Sequence, residues 1–551
     1  MTNYQFTGGT ICAPATIPGT GAISIIRVSG KESLAIADKI IDTKGVPIAE
    51  TEGYRLRYGT VFEADGSVLD NVIVSVFRAP HSYTGENSVE ISCHASRFIV
   101  NKILEFLVNA GARIAAPGEF TRRAFVNGKM DLAQAEAVAD VIASQSAASH
   151  RVAMNQLKGG FSSELKVLRE KLLTMTSLLE LELDFSEEDV EFASRKELGQ
   201  LVDDSLTHIR RLTASFSRGN AIKNGIPVAI VGATNTGKST LLNALLGEER
   251  AIVSDIAGTT RDTIEETLNI DGILFRFIDT AGIRETDETI EKIGIDRTFK
   301  KLGEAAVVLG MTDLSRGEAI VLEDADFILS KVNEMGGVKN VGTENDGSET
   351  SGGSPETGGA SLAETDGTTL SETGGASRHG HGAGQERKVV ILVNKCDVAG
   401  DFYMDDNGTG DGSGNDLGKN MAEIGGNKNV NHDNNIVSLL ENKYDNCKVI
   451  PISAKTGKGL STLTKTLGEI GSEITGSTDE TLVTNVRHYE ALVRAASALE
   501  RVRAGLHIAT LPPDLIAQDL REALYHLGEI VGEISTDETL GNIFRNFCIG
   551  K

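Results

Sequence analysis

The residues Gly232-Ala233-Thr234-Asn235-Thr236-Gly237-Lys238-Ser239 fit the phosphate-loop pattern GxxxxGK[ST]. Such a loop turns backbone N–H groups toward an anion, and the helix that follows adds the partial positive charge of its N-terminus. In that frame Lys238 reaches the β- and γ-phosphates, and the Ser239 hydroxyl is a ligand for Mg2+. Three more elements follow in order: Asp279-Thr280-Ala281-Gly282, Asn394-Lys395-Cys396-Asp397 and Ser453-Ala454-Lys455. Asp279 falls on the metal side, and Gly282 can turn its N–H toward a γ-phosphate. The Asp397 carboxylate can accept two hydrogen bonds from a guanine edge, a pair that adenine cannot donate. The set therefore points to GTP rather than ATP. Its expected nucleotide contacts are Asn235, Thr236, Gly237, Lys238, Ser239, Thr240, Asp279, Thr280, Ala281, Gly282, Asn394, Lys395, Asp397, Ser453, Ala454 and Lys455.

Chemistry of this kind needs strands to deliver the loops. Pro227–Val231 reads as a buried parallel strand, and Ser239–Leu246 as the helix start behind the phosphate loop. Ile273–Ile278 is a strand ending at Asp279, and Val389–Val393 a strand ending at the Asn394 motif. Residues 1–126 mix short strands (Ile23–Val28, Val72–Phe77, Val89–Cys93) with a helix near Ser96–Ala110, an α+β pattern. From Leu132 to about Asn220 the spacing is helical, and it is helical again over 481–551, with Tyr489, Leu492, Ala496 and Leu499 on one face. The two helical stretches are expected to pack together, with a nucleotide-binding unit inserted between them. The fold class is thus multidomain: an α+β N-terminal domain (1–126), a discontinuous all-α domain (127–220 and 476–551), and an inserted α/β P-loop, Ras-like domain (221–475).

Within that insertion, residues 336–387 and 399–446 carry net charges of −5 and −6 and few apolar side chains. They read as disordered loop insertions, because they cannot offset the entropy of ordering. The whole chain of 551 residues has a net charge of −24. It remains acidic without these segments, which excludes a generally basic, nucleic-acid-coating surface. Any RNA contact must use local basic patches. Arg122, Arg123, Lys129, Arg151 and Lys158 form one candidate strip, equally readable as a scattered solvated set. The five cysteines are scattered and include no CxxC, which argues for a reducing compartment and against a Cys-based metal site. No apolar run reaches membrane-spanning length and no leader pattern is seen, so a soluble, cytoplasmic protein without membrane association is expected.

Several segments together resemble the MnmE (TrmE) family of tRNA-modification GTPases. They are Gly21–Gly30, Ser82-Tyr83-Thr84-Gly85-Glu86, Pro117–Phe125, Asn127–Ala137, Ile256–Asp262 and the terminal Phe547-Cys548-Ile549-Gly550-Lys551. The resemblance covers the chain apart from the two insertions. It implies a homodimer formed through the N-terminal domain, working with an FAD-dependent MnmG (GidA) partner on carbon 5 of the wobble uridine of certain tRNAs. It also implies a one-carbon unit from 5-formyltetrahydrofolate or a related tetrahydrofolate, bound by the N-terminal domain through Arg27, Glu90, Lys129 and Lys551.

For the GTPase unit, Ile283 stands where Ras-type enzymes carry the glutamine that orients water, and an apolar side chain cannot do that. The resemblance implies K+ in the place of an arginine finger. Asn235, Ser254, Ile256 and Thr259 would hold it, within a nucleotide-wrapping segment Ser254-Asp255-Ile256-Ala257-Gly258-Thr259-Thr260. Thr260 joins Ser239 on Mg2+, and Glu291 positions the water, so Glu291, Lys238 and Asn235 form the expected catalytic set. Cys548 reads as a small buried hydrophobe rather than a nucleophile. A GTP-switched assembly factor would share the GTPase motifs but would need neither the N-terminal domain nor the Cys548–Lys551 terminus. One local departure is His94-Ala95-Ser96, where the family carries His-Gly-Gly, and it matters if the backbone there requires positive φ.

Overall fold

The computed structural model describes residues 8–184, 195–249, 266–278, 305–334, 387–398, 436–444, 447–476, 480–508, 512–534, 537–545, 547 and 550. They form two compact units, one of residues 1–223 with 475–551 and the other of residues 224–474.

The first unit begins with a seven-stranded sheet: β1 (Ile11–Pro14), β2 (Ile23–Ser29), β3 (Ile41–Asp42), β4 (Arg55–Phe62), β5 (Val68–Phe77), β6 (Ser88–His94) and β7 (Arg113–Ile114). Their spatial order is β3-β4-β5-β6-β2-β1-β7, and every pairing is antiparallel except β1–β7. Alternation along β5 and β6 sends Val72, Val74, Val76, Val89 and Ile91 into a core covered by α1 (Ser33–Ile40) and α2 (Arg97–Asn109). The opposite face leaves Leu56, Tyr58 and Ile73 exposed, with Tyr58 and Ile73 directly paired across β4 and β5.

Helices follow: α3 (Glu119–Val126), α4 (Leu132–Ala143), α5 (Ala147–Leu157), α6 (Gly160–Asp184), α7 (Arg195–Ala214) and α8 (Phe216–Asn224). Asp131 and Gln134 close a reciprocal capping box on α4, and Ser146 with Ser149 closes another on α5. One apolar core draws on Leu165, Leu168, Leu172 and Met175 of α6, on Val202 and Ile209 of α7, and on residues from the far end of the chain such as Leu492, Leu499, Leu520 and Leu527. A buried polar knot joins the same two stretches. Glu136 of α4 meets Arg487 and His488 at 2.9 and 2.7 Å. Burial opposes the charge on Glu136, but His488 and Arg487 outweigh it and hold its pKa at about 2.

The chain leaves this unit along α8 and returns beside it. Val483 N donates to Ser215 Oγ at 3.1 Å, Arg218 pairs with Glu480 at 2.8 Å, and Phe216 stacks on Tyr489 at 4.6 Å. Gly219 permits the approach, since a Cβ there would lie 2.2 Å from the Val483 carbonyl oxygen.

The second unit is a six-stranded sheet of β8 (Ile226–Gly232), β9 (Glu266–Ile270), β10 (Ile273–Ile278), β11 (Val307–Asp313), β12 (Lys388–Asn394) and β13 (Lys448–Pro451). The order is β13-β12-β11-β8-β10-β9, parallel throughout except for the β9–β10 hairpin. Strands β8, β11 and β12 are almost wholly buried, as parallel strands covered on both faces must be. Around them lie α9 (Lys238–Glu249), α10 (Glu318–Glu334), α11 (Ile436–Lys443) and α12 (Leu460–Thr475). The insertion expected at 399–446 needs correction at its end. Residues Ile436–Lys443 form α11, with Ile436 and Leu440 buried in the core against Val389 and Val449. Ile436 and Leu440 stand four apart, one helical turn, a spacing submerged in the polar composition before it.

The chain closes with α13 (Val486–Leu506), α14 (Pro513–Val531) and α15 (Asp537–Arg545), all in the first unit. No helix among the described residues is long and apolar enough to cross a membrane.

Candidate functional site

The phosphate loop leaves the C-terminal end of β8, whose neighbours β10 and β11 diverge to either side. In an open α/β sheet that switch point is where ligands bind. The loop needs its glycines. A Cβ on Gly232 would lie 2.3 Å from the Met311 carbonyl oxygen, and one on Gly237 (φ 98°) would lie 2.4 Å from Asn394 Nδ2. Asn235 takes the left-handed conformation (φ 63°), which asparagine tolerates. Thr236 is fully buried and donates to the Ala233 carbonyl oxygen at 2.9 Å. The Lys238 ammonium donates to the carbonyl oxygens of Gly232 and Ala233 at 2.9 and 2.8 Å, and burial lowers its pKa. Ser239 and Thr240 open α9 at the end of the loop.

The base-side loops are tied to the phosphate loop by one side chain. Asn394 is 2% exposed, donates to the Thr236 carbonyl oxygen at 2.6 Å and accepts from Ala454 N at 3.0 Å. Expected as a nucleotide contact, it is also the clamp joining three motifs. Lys395, at φ 64°, pairs with Asp313 at 2.6 Å. Burial works against the Asp313 charge, yet bonds from Lys395 and Ser315 bring its pKa below the ordinary carboxylate range. Asp397 and Lys455 are exposed, and Ser453 is buried and accepts from Thr456 N. Ser254, Asp255, Ile256, Ala257, Gly258, Thr259, Thr260, Asp279, Thr280, Ala281, Gly282 and Glu291 lie outside the described residues, as do Cys548 and Lys551.

A second cluster sits on the N-terminal sheet. Arg27 and Glu90 are cross-strand partners on β2 and β6, joined at 2.8 Å. The guanidinium also lies over the rings of Tyr83 (5.2 Å) and Phe120 (5.7 Å). Tyr83 is held by Thr121 at 2.8 Å. Lys129 reaches the Pro80 carbonyl oxygen at 3.0 Å and packs beside Gly85 on the same loop as Tyr83. Gly550 comes to β1, where a Cβ would lie 2.0 Å from the Pro14 carbonyl oxygen. Pro14 adjoins Ala13, the partner of Arg27. The end of the chain therefore approaches the strand that carries Arg27. Ala95 is not among the residues of positive φ, so the methyl there meets no backbone strain.

Arg123 does not belong to an RNA-facing strip. It is 2% exposed and pairs with Glu86 and Glu119 at 3.0 Å each, while donating to the Gly9 carbonyl oxygen. Burial alone would raise the Glu119 pKa, but bonds from Arg113, Ala116 N and Arg123 bring it down. Glu86 in turn accepts from Ser29 at 2.9 Å, so the buried arginine fixes the loop that carries Tyr83.

With this geometry in place, comparison with known proteins is decisive. A family model described as the MnmE helical domain matches residues 132–548, and one described as the GTP-binding protein TrmE N-terminus matches residues 10–129. This chain belongs to the MnmE family. Proteins named tRNA modification GTPase MnmE are similar to it end to end. That of Parabacteroides distasonis is 45% identical, covering 98% of this chain and 100% of its own length. Those of Bacteroides thetaiotaomicron (44%) and Flavobacterium johnsoniae (43%) each cover 98% of this chain and 99% of their own.

Sequence reasoning missed the roles of Asp313, Tyr83, Phe120 and Glu86. Asp313 carried a signal: it ends the apolar run Val307–Met311 and so marks a further strand terminus at the nucleotide edge. The others act through contacts between distant parts of the chain, and no local pattern announces them.

Proposed function

We propose that this chain is a potassium-activated GTPase acting in tRNA modification. With an FAD-dependent partner of the MnmG (GidA) type, it modifies carbon 5 of the wobble uridine of certain tRNAs. The one-carbon unit comes from a tetrahydrofolate derivative. The observation that carries GTP hydrolysis is the clamped phosphate loop at the end of β8, together with full-length similarity to tRNA modification GTPases.

Lys238 exchanges its two carbonyl partners for phosphate oxygens, and its raised charge stability there offsets the burial that now depresses its pKa. Ser239 and Thr260 hold Mg2+, and Asp397 reads the guanine edge. Asn235, Ser254, Ile256 and Thr259 hold K+, which when bound neutralises charge developing between the phosphates; the equivalent arginine is worth roughly 10³–10⁵ in rate. Glu291 orients the attacking water.

On the N-terminal sheet, Glu90, steadied by Arg27, accepts from the donor edge of the pterin. Lys129 and Lys551 meet the carboxylates of the folate tail. A second copy of the chain covers the exposed apolar face around Leu56, Tyr58 and Ile73, which supports the homodimer. The protein works in the cytoplasm.

The test is GTP turnover by the full-length protein in KCl against NaCl at equal ionic strength. A marked potassium stimulation, lost in Asn235→Ala, is expected. Equal rates in the two salts would refute potassium activation.

A further inference from the structure

A cavity of about 310 Å³ opens among the helices where the α5–α6 turn, the first turns of α6 and the end of α14 meet. Its wall carries three cations, Lys158, Lys166 and Arg169, against two acids, Asp131 and Glu533. Both acids are engaged. Asp131 caps α4 by accepting from Gln134 N at 2.8 Å, and Glu533 pairs with Arg169. Two buried polar atoms of the wall, Ser162 Oγ and Arg169 Nε, have no partner. Such atoms cost about 1–3 kcal/mol when left unmet, so a ligand that brings acceptors is favoured there. Gly159, at φ 85°, lets the chain turn directly into α6, and the start of that 25-residue helix forms the same wall. Its N-terminus adds partial positive charge to the three side chains.

We propose that this cavity binds a backbone phosphate of RNA and is a docking point for tRNA on the helical part of the chain. The inference rests on the tRNA reading above. Exposed lysines at the rim, serine hydroxyls and a helix N-terminus suit tetrahedral phosphate oxygens. A chain of net charge −24 repels a polyanion over most of its surface, so binding has to be concentrated where cations converge. Of the basic residues read from sequence, Arg123 is consumed inside the N-terminal domain, whereas Lys158 stands at this cavity.

The experiment measures binding of an unmodified tRNA transcript to the full-length protein over a range of salt concentrations. The double variant Lys158→Ala/Lys166→Ala should lower the slope of log affinity against log salt by about 1–2, near one per lost phosphate contact. It should weaken binding by roughly tenfold at low salt and leave GTP turnover unchanged. Glu533→Gln, which releases Arg169, should tighten binding, a gain that a merely structural role would not produce. Wild-type binding with an unchanged slope in the double variant, and no gain in Glu533→Gln, overturns the cavity assignment alone. Unchanged tRNA binding with loss of the protein partner also overturns it, in favour of an acidic protein surface. Failure of the wild-type protein to bind tRNA at all overturns the tRNA reading, and this inference with it.

Discussion

The phosphate loop and the Arg27 cluster are built in opposite ways. The first is a run of eight residues in which the backbone does the binding, so its glycines and its lysine must stand at fixed spacing. The second gathers Arg27, Tyr83, Glu90, Phe120 and Gly550 from strands, a loop, a helix start and the chain's end. Backbone sites are written locally; side-chain sites are written in the topology. The contrast is not absolute, because Asn394 brings a long-range clamp into the nucleotide site.

Removing a long-range tie should cost most. Arg123→Met leaves Glu86 and Glu119 facing each other's surroundings without their shared cation. Breaking a buried pair in this way costs about 3–5 kcal/mol. Urea denaturation should show the loss in the first unit, with nucleotide affinity of the folded protein retained. A variant as stable as the wild type would mean that the N-terminal site does not depend on its buried hub.

Lys238→Ala tests the local site. Loss of one charged donor from the phosphates should reduce GTP turnover by roughly 10²–10³-fold, with little change in melting temperature, since the ammonium now satisfies only loop carbonyls. Turnover within a few-fold of wild type would break the assignment. Asn394→Ala addresses the exception. It strands the Thr236 carbonyl and the Ala454 N–H, at a cost of about 1–3 kcal/mol. The melting temperature should fall and nucleotide binding should weaken together. Weaker binding at unchanged stability would make Asn394 a direct contact only.

What could be read from sequence follows the same division. The strands at Ile23, Val89, Pro227, Ile273 and Val389 were visible because each is a short apolar or alternating run with a clear end. Strand β11 was not singled out, although it is the buried neighbour of β8, because no motif marked it before Asp313. Helix α11 escaped because composition was averaged across a polar stretch that ends in one amphipathic turn. Arg123 looked like one more surface cation; only packing reveals that two acids and a carbonyl enclose it.

The neck formed by Ser215–Gly219 and Glu480–Thr484 has a consequence for synthesis. Helices α4–α7 emerge from the ribosome with Leu165, Leu168, Leu172 and Met175 facing partners that lie beyond residue 474. At about 5–20 residues per second, the intervening 250 or so residues take tens of seconds to translate. During that interval the apolar half-bundle is open, and a chaperone is the natural occupant of that face until α13 and α14 arrive.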